Sequence, residues 1–163
     1  MFRPNRFAPR LHQISLEELW GLGLRGLIVD LDNTLMGFHE TELEAEHLAW
    51  VDEAHERGFK VVLLSNNFTN RVCGIAEQLR IECIPNAMKP LPFGFWRAMR
   101  RLGMKRKEVA VVGDQLFTDV LGAKLSGGLY TILTEPIEAK DFPVTMFFRF
   151  LENLMLPKHR RRQ

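Results

Sequence analysis

Two aspartates with one residue between them, Asp30 and Asp32, close the apolar run Leu27-Ile28-Val29 and open the stretch Asp30-Leu31-Asp32-Asn33-Thr34. A short apolar, β-branched run that stops at polar residues reads as a buried strand opening into a loop. Side chains at i and i+2 of a strand share a face. Two carboxylates that close repel each other unless a cation neutralises them. An all-oxygen ligand set suits Mg²⁺. The same residues also read as an ordinary strand followed by an Asp/Asn turn, so the pair alone does not decide between chemistry and a turn.

Later segments tilt the balance. Lys60-Val61-Val62-Leu63-Leu64 runs into Ser65-Asn66-Asn67, and Val109-Ala110-Val111-Val112 runs into Gly113-Asp114, with Asp119 soon after. Between them the short strand-like Ile81-Glu82-Cys83-Ile84 precedes Lys89-Pro90. Strands alternating with helical segments imply a parallel sheet with right-handed crossovers, and such a sheet gathers its strand ends along one edge. The converging groups are Asp30, Asp32, Ser65, Lys89, Asp114 and Asp119. Four acids call for a divalent cation, while a hydroxyl and an ammonium beside them call for an anion. Metal with anion reads as phosphate.

These residues resemble the motifs of the haloacid dehalogenase-like phosphohydrolases. Asp30-Leu31-Asp32-Asn33-Thr34 matches the first motif, Ser65 the second, Lys89 the third, and Gly113-Asp114 with Asp119 the fourth. The forms Asp-Leu-Asp-Asn-Thr, Ser-Asn-Asn and Gly-Asp-Gln-x-x-Thr-Asp are similar to the subclass IIIA branch, which includes YqeG-type phosphatases and mitochondrial phosphatidylglycerophosphate phosphatases. The resemblance implies a three-layer Rossmannoid α/β fold with a parallel sheet of about five strands, Mg²⁺ as cofactor and aspartyl-phosphate chemistry. It makes Asp30 the nucleophile and Asp32 the general acid and base. Ser65, Asn66 and Lys89 become the phosphate-binding groups. Asp30, Asp32, Asp114 and Asp119 surround the metal, Asp32 through its backbone carbonyl and Asp119 either through water or in the role of orienting Lys89, and Thr34 supports the loop.

The elements needed to position these groups follow from the pattern. Ser15-Leu16-Glu17-Glu18 has the form of a capping box, which predicts a helix after Ser15. Apolar spacing predicts helices over 41–57 (Leu43, Leu48, Val51 and Ala54 inward), 69–79 (Val72, Ile75, Ala76, Leu79), 92–102 (Phe95, Trp96, Met99, Leu102) and 117–126 (Val120, Leu121, Ala123). Strands are expected at 25–30, 60–65, 81–84, 108–113 and 129–134. Trp50 and Trp96 are expected to pack. His47 and His55 read as packing or surface residues, and His39, near the first motif, is a possible substrate contact.

The 163 residues fit one domain, with a motif core over about 24–135 and a basic N-terminal segment over 1–14. A composition 46% hydrophobic supplies a core. No apolar stretch reaches the ~18–20 residues that span a bilayer, and the N-terminus has no signal-peptide core. A cytoplasmic protein is expected, with peripheral contact at the inner membrane face as the alternative to a fully soluble one. Net charge is only +2, which gives no reason to expect nucleic acid. Cys73 and Cys83 lie in apolar-patterned segments and read as buried free thiols. Oligomeric state is left open.

The spacing also excludes an inserted lid. One helix and part of a strand fill the interval from Thr34 to Ser65, and one helix and one strand fill that from Ser65 to Lys89. A small substrate usually needs closure to exclude water, so an open site suits phosphate on something bulky. Residues 144–156 are rich in Phe, Leu and Met, and the basic tail 157–163 follows. This is the pattern of an interfacial membrane helix, and equally of a helix packed on the sheet or in a dimer. The leading expectation is a phosphatase for phosphatidylglycerophosphate. The alternatives are a soluble phosphatase for a protein, a nucleic-acid end or a metabolite, and a non-catalytic binding protein of the same fold.

Overall fold

A computed structural model describes residues 3–138. The predicted helix at 144–156 and the basic tail lie outside the described residues. Six parallel strands form one sheet: β1 Arg6–Ala8, β2 Gly26–Val29, β3 Lys60–Leu64, β4 Glu82–Ile84, β5 Val109–Gly113 and β6 Tyr130–Thr134, in the order β1-β6-β5-β2-β3-β4. The helices are α1 Leu16–Gly21, α2 Ala45–Glu56, α3 Thr69–Leu79, α4 Phe93–Leu102 and α5 Gly122–Leu125. A π-helical turn, Leu116–Leu121, leads into α5.

The central strands are apolar because both of their faces are covered. Leu27 and Val29 of β2 pack on one side with Leu63, Val112, Trp50, Val51, Val72 and Leu79. Ile28 points the other way, to Val62, Val111, Phe95, Ala98 and Leu102. This is the period-2 alternation of a strand set between two helical layers. Helices α2 and α3 supply one layer, and α4 with α5 the other. Ser15 caps α1, its Oγ accepting from the Glu18 N–H at 3.2 Å. Gly103, at φ 66°, ends α4 in the left-handed region that glycine enters freely.

Five expectations change, the first being that the helix expected over 117–126 is a π-helical turn, Leu116–Leu121, followed by the short α5. The sheet has a sixth strand, β1, at its edge beside β6, where the Thr131 carbonyl also accepts the Asn5 N–H at 2.9 Å. Cys73 and Cys83 are not free thiols but a disulfide, with S–S 2.10 Å and Cα–Cα 5.4 Å. Helix α3 folds back beside β4, and the pair falls within disulfide range although ten positions separate it in sequence. Leu48 is 37% exposed, because α2 turns His47, Trp50, Val51 and Ala54 inward instead. Trp96 is 47% exposed, because the buried line of α4 is Phe95, Ala98 and Leu102.

Candidate active site

Register brings the motif residues together. Val29 lies level with Leu63 of β3 and Val112 of β5, and Leu64 lies level with Ile84 of β4. The residues that follow, Asp30, Ser65 and Asp114, therefore emerge at one edge of the sheet. Asp30 remains in the ladder, donating its N–H to the Val112 carbonyl at 2.9 Å, and Ser65 donates to the Ile84 carbonyl at 3.1 Å. The chain then turns sharply at Asn33, whose φ of 62° suits Asn better than most residues. Its N–H is bound to the Met36 carbonyl at 2.7 Å.

Lys89 stands at the centre. Its Nζ donates to Asp30 Oδ1 at 2.8 Å and to Asp119 Oδ1 at 2.6 Å, with only 3% of its side chain exposed. Asn66 holds the Lys89 backbone from both sides: Oδ1 accepts the Lys89 N–H at 2.7 Å, and Nδ2 donates to the Lys89 carbonyl at 3.1 Å. The Lys89-Pro90 peptide bond is cis. Ser65 Oγ accepts the Asn67 N–H at 3.0 Å, which ties the hydroxyl to the turn after β3.

Asp119 projects from the π-helical turn, and its Oδ2 accepts the Gln115 N–H at 3.2 Å. Its carboxyl lies over Gly113, where a Cβ would collide with it. The glycine of Gly113-Asp114 is thus a space requirement of the site. Thr34 Oγ1 donates to Asp114 Oδ1 at 3.3 Å, linking the first and fourth motifs.

Asp30, Asp114 and Asp119 are all buried, and each offers a carboxylate oxygen within 4.8 Å of the others. Three carboxylates face one ammonium, an excess of negative charge that a divalent cation would cancel. Burial raises the Asp30 carboxyl to about 7, with the Asp119 carboxylate adding to the rise and Lys89 opposing it. Burial alone would lower Lys89, but Asp119 and Asp30 outweigh it and hold the ammonium protonated. An all-carboxylate donor set of this kind fits Mg²⁺ or a similar hard cation.

Asp32 lies apart from that cluster. Its Oδ2 accepts from Asn67 Nδ2 at 3.0 Å, and its Oδ1 accepts from Arg71 Nε at 3.1 Å and lies 3.0 Å from Arg71 Nη2. Arg71 also donates to the Glu40 carbonyl at 3.0 Å and the Gly37 carbonyl at 3.1 Å. One guanidinium thus joins α3 to the loop after the first motif. Asn67 lies in the Ser-Asn-Asn form noted in the sequence, but its contact with Asp32 is not legible there, and Arg71 is not singled out at all. The only available signal is that both closely follow Ser65, Arg71 falling in the first turn of α3.

A family model for haloacid dehalogenase-like hydrolases matches residues 46–127. The Bacillus subtilis (strain 168) protein named probable phosphatase YqeG is 37% identical over 161 residues, covering 99% of this chain and 93% of that protein. The chain belongs to the haloacid dehalogenase-like hydrolases. The fold of this hydrolase recurs in a putative subfamily III A hydrolase from Legionella pneumophila, at 19% identity and TM-score 0.57, over 82% of this chain and 75% of that one. It recurs also in the 3-deoxy-D-manno-octulosonate 8-phosphate phosphatase of Moraxella catarrhalis, at 15% identity and TM-score 0.58, over 76% of each chain. Among the described residues no extra domain interrupts the sheet edge: only loop and α2 separate β2 from β3, and only loop and α3 separate β3 from β4.

Proposed function

We propose that this hydrolase is a Mg²⁺-dependent phosphomonoesterase that works through an aspartyl-phosphate on Asp30. We further propose that its substrate is phosphatidylglycerophosphate, taken at the cytoplasmic face of the membrane. The observation that carries the chemistry is the Asp30–Lys89–Asp119 centre with Asp114 beside it. Asp30, Asp114 and Asp119 would hold the cation, which when bound favours ionised Asp30 and screens the phosphoryl oxygens.

Asp30 attacks phosphorus, forming an acyl phosphate as the ester P–O bond breaks. The leaving oxygen takes a proton from Asp32. Water then attacks phosphorus, Asp32 accepts its proton, and inorganic phosphate and free Asp30 result. Arg71 and Asn67 keep Asp32 in place between the two steps. The Lys89 ammonium offsets charge on the phosphoryl group, and the Ser65 hydroxyl is available to donate to one of its oxygens.

The open sheet edge supports a bulky substrate, because the substrate itself can exclude water where no lid does. The phosphatase name of the Bacillus relative and the magnesium and phosphate ions in the Moraxella complex support the reaction class. The lipid rests on the subclass resemblance and the open edge.

The test is phosphate release from p-nitrophenyl phosphate, phosphatidylglycerophosphate in mixed micelles, a phosphopeptide and a phosphorylated oligonucleotide. Wild type should turn over the lipid best and need Mg²⁺. Asp30→Asn should keep the fold and lose turnover by about a thousandfold or more. Residual activity within about tenfold of wild type would remove Asp30 as nucleophile. A preference for a soluble phosphate would select the soluble alternative.

A further inference from the structure

The outer face of α4 and the turns on either side combine exposed apolar groups with cations. Met88 and Leu91, which flank Lys89, are 62% and 44% exposed. Phe93 and Trp96 are 57% and 47% exposed and meet edge to face, ring centroids 5.7 Å apart. The Trp96 indole is fixed by its Nε1, which donates to the Ser126 carbonyl at 3.3 Å. Exposed Leu125 adjoins Ser126. Further along, Trp96, Met99 and Met104 share a shallow groove of about 720 Å³ with Arg100, Lys105 and Arg106.

The charge on this face is mostly positive, with two carboxylates at its margins, Glu82 beside Arg101 and Glu108, whose Oε2 accepts the Lys105 N–H at 2.9 Å. No Asp or Glu occurs from position 83 to 107. Arg97, Arg100, Lys105, Arg106 and Lys107 are exposed, and none makes an ion pair among the described residues. Only Arg101 has a carboxylate partner, Glu82 at 3.2 Å.

We propose that this α4 face docks on an anionic lipid bilayer. Half-exposed aromatic and aliphatic side chains flanked by unpaired cations match the physics of the membrane interface, where rings and alkyl chains enter the headgroup region and cations meet anionic lipid. The aliphatic members favour a bilayer over nucleic acid, since Met88, Leu91 and Leu125 have nothing to gain from a phosphate backbone. Position agrees. Helix α4 starts just beyond Lys89, whose ammonium lies in the active site, so the apolar end of the face adjoins the site's mouth. A leaflet on this face would present headgroup phosphates beside Asp30 without their leaving the bilayer. The inference deepens the lipid reading of the site and rests on it for its purpose, while its test is independent of turnover.

The full chain is sedimented with phosphatidylcholine vesicles made with and without phosphatidylglycerol. Two double variants are compared with wild type: Phe93→Ser with Trp96→Ser, and Arg97→Gln with Arg100→Gln. Neither touches the catalytic groups or the basic tail at Lys158–Arg162. Wild type should bind only the anionic vesicles, and each variant should bind them about tenfold more weakly or worse. The arginine pair is exposed and changes no packing, so it decides the matter if the aromatic pair unfolds. Wild-type protein that ignores anionic vesicles overturns the proposal, and so does undiminished binding by the arginine variant. Binding to a single-stranded oligonucleotide in place of vesicles, lost in the same variant, overturns it in favour of nucleic acid. Turnover of p-nitrophenyl phosphate should be unchanged in the arginine variant. Vesicle binding without any such turnover would refute the phosphatase reading and leave the docking face standing.

Discussion

Among the described residues, Lys89 at the sheet edge and His47 under α2 are both buried ionisable groups, and their surroundings solve the problem of burial in opposite ways. At the sheet edge, Lys89 is almost fully enclosed between Asp30 and Asp119. Under α2, the His47 ring is fully buried, 5.2 Å from the ring of His12, with the Glu44 carboxylate 3.7 Å from its Nδ1 and Glu46 3.5 Å from His12 Nε2. The first cluster keeps its charge and compensates it with opposite charge. At the second the buried ring sheds its charge, because burial holds His47 below its ordinary value, with His12 and Arg10 adding to the fall and Glu44 opposing it. Desolvating an ion costs several kcal/mol unless partners compensate it. A charged cluster retained with an excess of carboxylate is therefore the one that signals chemistry, and a neutral one signals packing.

Removing the central charge tests the contrast most severely. Lys89→Gln leaves Asp30 and Asp119 buried without their cation, and breaking a buried pair typically costs about 3–5 kcal/mol. The loss should be largest above pH 7, where Asp30, raised to about 7, is ionised. Urea unfolding of the metal-free variant at about pH 8 should show it, and added Mg²⁺ should restore part of it. Wild-type stability there would mean that the charges do not depend on one another, and the contrast with His47 would collapse. Turnover should also fall, since the same ammonium faces the phosphoryl group.

The sheet-edge cluster was readable in advance because its elements are apolar runs that stop abruptly. The runs before Asp30, Ser65 and Asp114 are strands, and parallel register does the rest. What could not be read depends on distant partners. Strand β1 is three residues, Arg-Phe-Ala, with no strand signal of its own, and it exists because β6 offers an edge more than a hundred positions away. Asn67 and Arg71 meet Asp32 across 35 and 39 positions, which no local spacing encodes. The Cys73–Cys83 bond depends on how α3 packs beside β4. Trp96 has the helical spacing of a core residue, but the inward line of α4 is narrower than its apolar arc, so the ring is left outside.

The Arg71–Asp32 contact sharpens the comparison at an intermediate level, because here a charge pair is only partly buried: the side chains are 25% and 18% exposed. Its expected contribution is positional. Arg71→Gln should lower kcat on p-nitrophenyl phosphate by about 10- to 100-fold, the range of one misplaced acid–base group, with a smaller change in KM. Arg71→Lys keeps the charge but not the planar fork and should recover only part of the loss. A kcat within about twofold of wild type for the Gln variant would reduce Arg71 to a strut between the Gly37–Glu40 loop and α3.

The smallest effect is expected at the neutral cluster, and it shows as a slope. The folded value of His47 lies below its unfolded value near 6.5, so the unfolded chain binds the extra proton more readily. Stability from this group is therefore present above about pH 6.5 and is lost as pH falls below it. Protonation of Asp30, raised to about 7, adds stability over the same range, so the His47 contribution is read as the difference in urea-midpoint slope between wild type and variant from about pH 7.5 to about pH 5.5. His47→Gln, close in volume and unable to titrate, lacks the acid loss of this group, so its midpoints should gain on those of the wild type as pH falls, while its stability at neutral pH is lowered only modestly. The mutation leaves Asp30, Lys89 and Asp119 untouched, so turnover at neutral pH should change little. If the slope of the Gln variant matches that of the wild type, His47 carries no acid loss and is not a neutral counterpart of the charged centre.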